Sequence, residues 1–426
     1  MEYLSVTDAQ KCILHAVKTL GTEPVRLEQS LLRVLAEDVR ANRDLPPYDV
    51  SAMDGYALRS SDLVYIPATL AIIEDIKAGD MPSRTIQPGQ CARIMTGAPI
   101  PQGADAVIRV EDTQLVSDQK VQINVAVRPG NDIRLRGEGM RDGEVVLTAG
   151  TEITPGVIGV LATVKCAQVQ VYRRPRVAIL STGNELEAMD DPRDPNKIPN
   201  SNSYALMAQV QALGIEPTLL GIARDDPVEL AAYLQRGLKF DVLLVSGGTS
   251  VGVHDYVRPT IEALGVQMKF WRVEMKPGHP VAFGIKILST KNITAGTFVF
   301  GLPGNPVSSM VCFEQFVAPA LRRMMGHARL YRRTIAARLT HDVKHQPGRT
   351  EFVRVTLARA GGGYAATSTG AQGSGMLLSM ARADGLMVVP STSSGLAAGE
   401  QVIVQLLDGT TFQDQVGFQD DVGFGE

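Results

Sequence analysis

The sequence predicts a multidomain protein with a central α/β domain, a β-rich module inserted ahead of it and a small all-β domain at the C-terminal end. A chain of 426 residues is too long for one ordinary core. Between residues 173 and 327, candidate strands alternate with candidate helices, which predicts a mostly parallel sheet. Short strand-like runs lie on either side of that region.

The first part of the chain combines helices with a β-rich module. Apolar residues at helical spacing predict an amphipathic helix over residues 4–20, stopped by Gly21, and a second helix over residues 27–36. The runs TLAIIEDI, CARIMTG, ADAVIRV and VQINVAV predict the strands of the module. Within the mixed stretch 137–172, TPGVIGVLATV predicts a helix that starts at a proline.

The second part begins with the α/β rhythm and ends in strands. RVAILST and DVLLVSGG predict strands, and SNSYALMAQVQALG and DPVELAAYLQRGL predict helices, the second capped by Asp226. Asn305 is expected to cap, and Pro306 to open, a long helix that ends at Gly326. The later runs TIAARLT, TEFVRVTLA, GLMVVP and EQVIVQLL predict the C-terminal all-β domain.

Composition and charge narrow the possible functions. A hydrophobic content of 44% and a charged content of 20% are typical of a soluble globular protein. The first residues lack the features of a signal peptide and no long apolar run follows, so we expect a cytoplasmic protein with no membrane partner. A net charge of -3 provides no general field for nucleic acid. The four cysteines have no C-x-x-C spacing, which argues against a thiolate zinc site or a redox motif.

Three loops occur where parallel strands are expected to end: STGNE, SGGTSVG and GLPGNP. Such loops expose backbone amides beside helix N-termini, so they predict oxyanion binding at that edge of the sheet. The spacing G-x-x-x-x-G-K-[ST] is absent and no G-x-G-x-x-G follows a strand, which argues against a nucleotide kinase or a dinucleotide enzyme. Taken alone, SGGTSVG is explained equally well as a structural turn.

Acidic residues accompany these loops. Glu185, Asp225 and Asp255 lie beside amides that would bind anions, so they predict a divalent cation, magnesium, bridging carboxylates to phosphate oxygens. Lys276 is expected to neutralise further charge. Helix capping by the acids, a turn role for Asp54 and a solvated turn lysine stay open as structural alternatives. His341 and His345 have i, i+4 spacing in a β context without a nearby acid, which predicts surface histidines.

Seven motifs then point to a family: PPYDVSAMDGYALR, RIMTGAP, STGNEL, ARDDP, VSGGTSVGVHDY, MKPGHP and GLPGNPVSS, in this order. Over roughly residues 1–410 the chain resembles the MoeA family, molybdopterin molybdenumtransferase, also known as the gephyrin E domain. The resemblance implies an elongated subunit. Its four parts are a linker domain of residues 1–43 and 137–172, an inserted β-rich module of 44–136, an α/β domain of 173–327 and a C-terminal β-barrel of 328–411. Residues 412–426 lie outside the resemblance, and we expect them to form a flexible tail.

The same resemblance implies a homodimer whose active site lies between the α/β domain of one subunit and the β module of the other. The implied reaction hydrolyses adenylylated molybdopterin and inserts molybdate, giving molybdenum cofactor and AMP. Other proteins of molybdenum cofactor biosynthesis are candidate partners. The predicted catalytic residues are Asp54, Glu185, Asp225, Asp255 and Lys276, with Glu185, Asp225 and Asp255 as metal ligands. The predicted substrate-binding residues are Thr96, Arg134, Ser181, Thr182, Gly183, Ser246, Gly247, Gly248, Ser250, His279, Pro303, Asn305, Pro306 and Ser374.

Two positions depart from the family pattern. Gly139 replaces the carboxylate of R-x-x-G-E-D, and His279 replaces the lysine of P-G-K-P. A histidine is mostly neutral at pH 7, so a fixed positive charge becomes conditional. Two other functions therefore stay open: a gephyrin-like scaffold without catalysis, and a paralogue specialised for another oxyanion such as tungstate.

Overall fold

A computed structural model describes residues 3–248, 256–290, 293–360 and 362–407. The chain divides into two compact units. The first unit comprises Met1–Pro24, Leu32–Ala36 and Gln170–Glu426, and the second comprises Val25–Leu31 and Glu37–Val169. The predicted tail, Ser250 and Asp255 lie outside the described residues.

The N-terminal helix, α1, covers Val6–Ala16 and is shorter than the sequence predicts. The Ser5 hydroxyl oxygen accepts the backbone N–H of Asp8, a hydrogen bond that caps the first turn. Ala9, Ile13 and Val17 are buried in the core of the first unit. The chain leaves the helical conformation at Val17, before Gly21.

The predicted helix over residues 27–36 is wrong. The structure has a short 3-10 turn, Leu27–Gln29, after the strand Thr22–Arg26. Leu32 adopts a left-handed backbone conformation with φ 61, which ends any right-handed helix at that point. Leu35 then forms an antiparallel bridge with Val171. The apolar residues of this stretch are therefore buried by extended chain rather than by a helix face.

The second unit contains a six-stranded sheet. Its strands are β1 (Gly55–Leu58), β2 (Ala68–Ile76), β3 (Gln90–Ile94), β4 (Ala106–Arg109), β5 (Thr113–Ser117) and β6 (Lys120–Ile123). They lie in the order β4-β1-β3-β2-β6-β5. Outside the sheet are the short strands Val39–Arg40, Val50–Ser51, Ile133–Arg134 and Val145–Leu147, the 3-10 turns Ser60–Leu63 and Val110–Asp112, and α2 (Pro155–Thr163). The strands predicted for the β-rich module and the proline-started helix are confirmed.

The first unit contains the α/β sheet. Its elements are β7 (Val177–Thr182), α3 (Ser201–Gln211), β8 (Thr218–Ala223), α4 (Pro227–Gly237), β9 (Val242–Ser246), α5 (Val257–Ala263), β10 (Gln267–Phe270), β11 (Ala282–Thr290) and β12 (Ile293–Leu302). The strand order is β8-β7-β9-β12-β11-β10. Strand β11 pairs antiparallel with both of its neighbours, and the pairings of β8, β7, β9 and β12 are parallel. The mostly parallel sheet is therefore confirmed, with one reversed strand.

Alternation along β7 shows how this sheet is buried on both faces. Val177 and Ile179 pack into one hydrophobic cluster, and Ala178 and Leu180 pack into another. Successive side chains of a strand point to opposite faces, so an unbroken apolar run suits a sheet covered on both sides. The helices between the strands supply that cover.

The long helix predicted from Asn305 to Gly326 is divided into three pieces. They are α6 (Pro306–Cys312), the π-helical segment Phe313–Val317 and α7 (Ala318–Met324). Asn305 is at the N-cap position but its side chain makes no capping hydrogen bond. Gly326 follows with φ +80, a conformation that terminates helices.

Five C-terminal strands close into a barrel. They are β13 (Thr334–Leu339), β14 (Thr350–Ala360), β15 (Gly363–Ser368), β16 (Gly385–Val389) and β17 (Gln401–Leu406), with α8 (Leu377–Ala381) between β15 and β16. The order β14-β15-β13-β17-β16 returns to β14, and the short strand Met275–Lys276 pairs with the outer side of β14. The predicted C-terminal barrel is confirmed. Among the described residues, no helix has both the length and the apolar character needed to cross a bilayer.

Candidate functional site

The loops that follow β7, β9 and β12 meet in the first unit. The backbone N–H of Gly247 donates to the Leu302 carbonyl at 3.0 Å. Gly247 has φ +96, and a Cβ atom there would lie 2.5 Å from the Thr182 carbonyl oxygen. A Cβ atom on Gly304 would lie 3.7 Å from the Gly247 Cα atom. Glycine is therefore needed at position 247 because three strand ends approach one another too closely for a side chain.

Asn202 connects two of these strand ends, and the sequence reasoning missed it. Its Nδ2 amide donates to the Ser246 hydroxyl at 2.8 Å and to the Gly304 carbonyl at 2.8 Å. Asn202 is the second residue of α3, in the first turn after the Asn200 cap. An asparagine just inside a helix is an ordinary residue in sequence, so only the fold shows that it spans the two loops.

The two hydroxyl residues that end β7 differ in their partners. The Ser181 hydroxyl is 1% exposed and donates to the Asn200 side-chain oxygen at 2.9 Å. The Thr182 hydroxyl is buried and has no hydrogen-bond partner among the described residues. Ser181 therefore stabilises the start of α3, whereas Thr182 holds an unsatisfied polar group against the glycine loop.

Glu185 and Asp225 belong to the loops after β7 and β8. The Asn184 backbone N–H donates to the Asp225 carboxylate at 3.2 Å, and the Asp225 N–H donates to the Asn184 side-chain oxygen at 3.2 Å. Gly183 has φ +145, and a side chain there would collide with the Glu185 carboxylate. The two hydrogen bonds between Asn184 and Asp225 hold the loop of Asp225 against the loop of Glu185. Asp226 caps α4 instead, accepting the N–H groups of Val228 and Glu229.

Glu185 and Asp225 are the acidic side chains of these loops whose chemistry suits a divalent cation such as magnesium. Magnesium is usually held by one or two carboxylates together with substrate phosphates and water, rather than by a complete protein cage. Glu185 and Asp225 are two such carboxylates. Within the described ranges, no group of three or more His, Cys, Asp or Glu side chains forms a metal cage.

A cavity of about 440 Å³ adjoins the Glu185 loop. Its lining includes Asn184, Lys197, Tyr204, Leu219 and Arg224. This volume falls within the range of small-molecule sites. Its wall combines apolar and aromatic side chains with two cationic residues, Lys197 and Arg224, and one acidic residue, Asp191.

Asp54 and Thr96 form a rigid pair in the second unit. The Thr96 backbone N–H and its hydroxyl both donate to one Asp54 carboxylate oxygen at 2.7 Å. These two bonds, first the backbone one and then the hydroxyl one, hold the pKa of the Asp54 carboxyl below its ordinary value. Asp54 is therefore an ionised, oriented and exposed carboxylate.

Arg134 is the remaining predicted residue of the second unit, and it lies close in sequence to Gly139, the first departure from the family pattern. The Arg134 guanidinium is 3.9 Å from the Glu138 carboxylate, and both side chains are about half exposed. Gly139 donates its N–H to the Leu45 carbonyl at 2.9 Å. Asp142 donates its backbone N–H to Asp44 at 2.9 Å.

Lys276 forms an ion pair that the sequence did not reveal. Its ammonium group is 2.8 Å from one carboxylate oxygen of Glu351, and His345 Nδ1 is 2.9 Å from the other. Glu351 and His345 are 7% and 3% exposed, whereas Lys276 is 58% exposed. The prediction of a surface histidine without a nearby acid is wrong for His345, because the β-barrel brings Glu351 against its ring. His341 contacts the Thr340 hydroxyl.

His279, the second departure, contacts both its own segment and Tyr3 near the N-terminal end. Its Nδ1 atom is 2.7 Å from the Val273 carbonyl oxygen, and its ring stacks on Tyr3 with 5.4 Å between ring centres. A lysine at this position has neither a ring to stack nor the same hydrogen-bond geometry. The residue therefore contributes local packing that the family lysine does not.

The GLPGNP loop and the C-terminal loop around Ser374 come together at the start of α6. The Val307 backbone N–H donates to the Ser374 carbonyl at 3.1 Å. Pro303 is buried, and Pro306 opens the helix. The structure thus places Ser374 beside Asn305 and Pro306, although about seventy residues separate them in sequence.

Arg354 organises the Ser374 loop, and the sequence reasoning missed it as well. The side chain is 1% exposed and donates to the Ser379 hydroxyl at 3.0 Å and to the Gly373 carbonyl at 3.1 Å. Its backbone N–H donates to the Gln372 side chain at 2.9 Å. Burial lowers the pKa of the Arg354 guanidinium from its ordinary value. A buried arginine in a strand gives no signal in the sequence beyond its charge in an apolar run.

The fold is that of a multidomain protein in which an α/β domain with converging strand-end loops is joined to a five-stranded barrel. The MoeA N-terminal region (domain I and II) matches residues 4–164, a probable molybdopterin binding domain matches 178–323, and the MoeA C-terminal region (domain IV) matches 336–407.

Relatives match nearly the whole chain. A molybdopterin molybdenumtransferase of Nostoc sp. is 37% identical over 411 residues, covering 94% of this chain and 93% of its own. The Bacillus subtilis protein of the same name is 35% identical over 412 residues, covering 95% and 94%. A crystal structure of the molybdopterin biosynthesis moeA protein from Pyrococcus horikoshii has a TM-score of 0.81 at 30% identity, covering 95% of this chain and 100% of its own. The chain therefore belongs to the MoeA family, enzymes of molybdenum cofactor biosynthesis whose curated members are named molybdopterin molybdenumtransferase.

Proposed function

We propose that this enzyme inserts molybdate into adenylylated molybdopterin and releases AMP. The observation that carries the proposal is the meeting of the three strand-end loops beside the paired Asn184 and Asp225. Exposed amides and acidic side chains at one edge suit a ligand that brings phosphate oxygens and a cation together. The curated relatives bear the name of this transferase activity.

The amide groups at the loops have a defined electrostatic role. Molybdate is a dianion, and it must approach a ligand that already carries phosphate charge. Fixed dipoles offset that charge without reorganising during the reaction. The Val307 N–H is already engaged by the Ser374 carbonyl, so the backbone of residues 303–305, just before α6, and the bare backbone at Gly248 are the groups proposed to receive the oxygen atoms.

Magnesium is proposed as the accompanying cation. When bound, it neutralises phosphate charge and acts as a Lewis acid on the phosphoryl oxygen. Glu185 and Asp225 are the proposed ligands, together with Asp255, which lies outside the described residues. The Asn184 hydrogen bond orients the Asp225 carboxylate for that role.

The other charged residues of the proposed site belong to both units of the chain. Lys276 is proposed to supply an ammonium group to the oxyanion. Asp54, held by Thr96, and Arg134 are proposed to act from the β module of a second subunit in a homodimer. We further propose that the enzyme acts in the cytoplasm and receives its pterin from another protein of the same biosynthesis.

The test is an in vitro assay with adenylylated molybdopterin, molybdate and magnesium. Asp225→Asn and Asp255→Asn are expected to reduce cofactor formation strongly, because each removes a proposed ligand charge. Asp226→Asn is the matched control, since asparagine caps a helix as well as aspartate does. The proposal fails if wild-type protein forms no cofactor, or if Asp225→Asn and Asp255→Asn are as active as Asp226→Asn. If tungstate is inserted as well as molybdate when the two compete in this assay, the substrate is not molybdate alone but an oxyanion that the enzyme does not distinguish from it.

A further inference from the structure

A buried carboxylate lies directly behind the exposed ammonium group of Lys276. The Glu351 side chain is 7% exposed, and one of its oxygens is 2.8 Å from Lys276 Nζ. The other oxygen is 2.9 Å from Nδ1 of His345, whose side chain is 3% exposed. Both carboxylate oxygens are therefore engaged, and the carboxylate has one fixed orientation.

The strands are already joined without this ion pair. Met275 and Lys276 pair in parallel with Thr350 and Glu351, and the Thr350 N–H donates to the Glu274 carbonyl at 3.0 Å. Backbone hydrogen bonds thus hold the Lys276 segment on the barrel. The contact between the ammonium group and the carboxylate adds a constraint on the lysine side chain itself.

The constraint leaves the ammonium group able to bind a ligand. A lysine ammonium has three N–H donors, and the contact with Glu351 uses one of them. Lys276 is 58% exposed and lines an open cavity of about 1130 Å³ together with Glu351 and His345. Two donors therefore remain for an oxygen atom of a ligand.

We propose that Glu351 is the positioning residue of Lys276: it fixes the ammonium group at the cavity wall so that the two remaining donors meet the oxyanion. A free lysine has four flexible bonds, and ordering it during the reaction costs conformational entropy. Glu351 supplies that order beforehand, and His345 holds Glu351 in place. The inference rests on the proposed function, because Lys276 takes its role from it.

The test is a double-mutant cycle with Lys276→Met and Glu351→Gln. Glutamine keeps the shape of glutamate but removes its negative charge. The ammonium group of Lys276 then loses its ion pair, and its positive charge is no longer offset by a neighbouring carboxylate. We expect kcat of Glu351→Gln to fall about tenfold, while the KM for molybdate stays equal or decreases. Because Glu351 acts through Lys276, adding Glu351→Gln to Lys276→Met should lower kcat no further.

Lys344→Met is the matched control. Lys344 lines the same cavity, and no ion pair of its side chain is present among the described residues. This variant should retain the wild-type kcat. The inference is overturned if Glu351→Gln keeps kcat within twofold, or if the two losses multiply in the double variant as independent structural effects would.

A second measurement separates this inference from the proposed function. The dissociation constant of adenylylated molybdopterin is measured by calorimetry for the four proteins of the cycle. If the wild-type protein forms no cofactor, the proposed function is wrong. The role of Glu351 is then decided only by the dissociation constants of the four proteins. Coupling between Lys276 and Glu351 in the dissociation constants supports it, and additive effects or absence of binding overturn it.

Discussion

Replacing Gly247 by alanine tests whether the strand-end loops meet as described. An alanine must adopt φ +96 at this position, and its Cβ atom would lie 2.5 Å from the Thr182 carbonyl oxygen. The left-handed conformation costs an L-residue roughly 1–2 kcal/mol. Relieving a collision with backbone in a packed region costs roughly another 1–3 kcal/mol. The expected total loss in the free energy of unfolding is therefore roughly 2–5 kcal/mol.

Gly265→Ala provides the matched comparison. Gly265 has φ +83, and no atom lies within 4 Å of its added Cβ. This variant meets the conformational cost alone, so it should lose only roughly 1–2 kcal/mol. Both variants reduce the entropy of the unfolded chain equally, and that effect cancels in the comparison. The difference between them isolates the collision with Thr182.

Urea unfolding followed by tryptophan fluorescence measures this difference. Trp271 is the single tryptophan of the chain, it is 7% exposed, and it belongs to the first unit, as both glycines do. Gly247→Ala should also lose cofactor formation, whereas Gly265→Ala should retain it. Equal destabilisation of the two variants would refute the close approach of the loops after β7 and β9.

Three further predictions concern the groups around the loops. Asn202→Ala removes two hydrogen bonds between strand ends and should lower the free energy of unfolding by about 1–3 kcal/mol in the same urea assay, whereas an unchanged value would show that the amide does not join them. Thr96→Ala removes one of the two hydrogen bonds that lower the pKa of Asp54, so that pKa should rise toward its ordinary value in a carbon-13 NMR titration, and an unchanged pKa would contradict the contact. Because the pKa of Asp54 is lower in the folded than in the unfolded protein, ionised Asp54 stabilises the fold above the unfolded pKa. This stabilisation is lost as the pH falls through the folded pKa. Gly139→Asp with His279→Lys restores the family residues and should raise turnover if insertion is the function, while a decrease would show that this chain has adapted to its own residues.

Local patterns were sufficient for most elements. Asp226 before Pro227 predicted the start of α4, and unbroken apolar runs predicted β7 and β9, because capping and burial periodicity are set by neighbouring residues. The predicted helix over residues 27–36 was wrong because here burial is set by residues far away in the sequence and not by neighbouring ones. Its apolar residues are buried by contact with a distant strand, through the Leu35–Val171 bridge, and not by a helix face.

The sequence alone determined the family and predicted the chemistry of the loops, because glycines, acids and prolines at short fixed spacings carry that information locally. The tertiary structure alone decided the partners of those residues. Asn202 spans two loops, Arg354 holds the Ser374 loop, and Glu351 pairs with Lys276 from 75 residues away. Contacts between residues far apart in the chain depend on how the sheet and barrel close, and no short pattern encodes that closure.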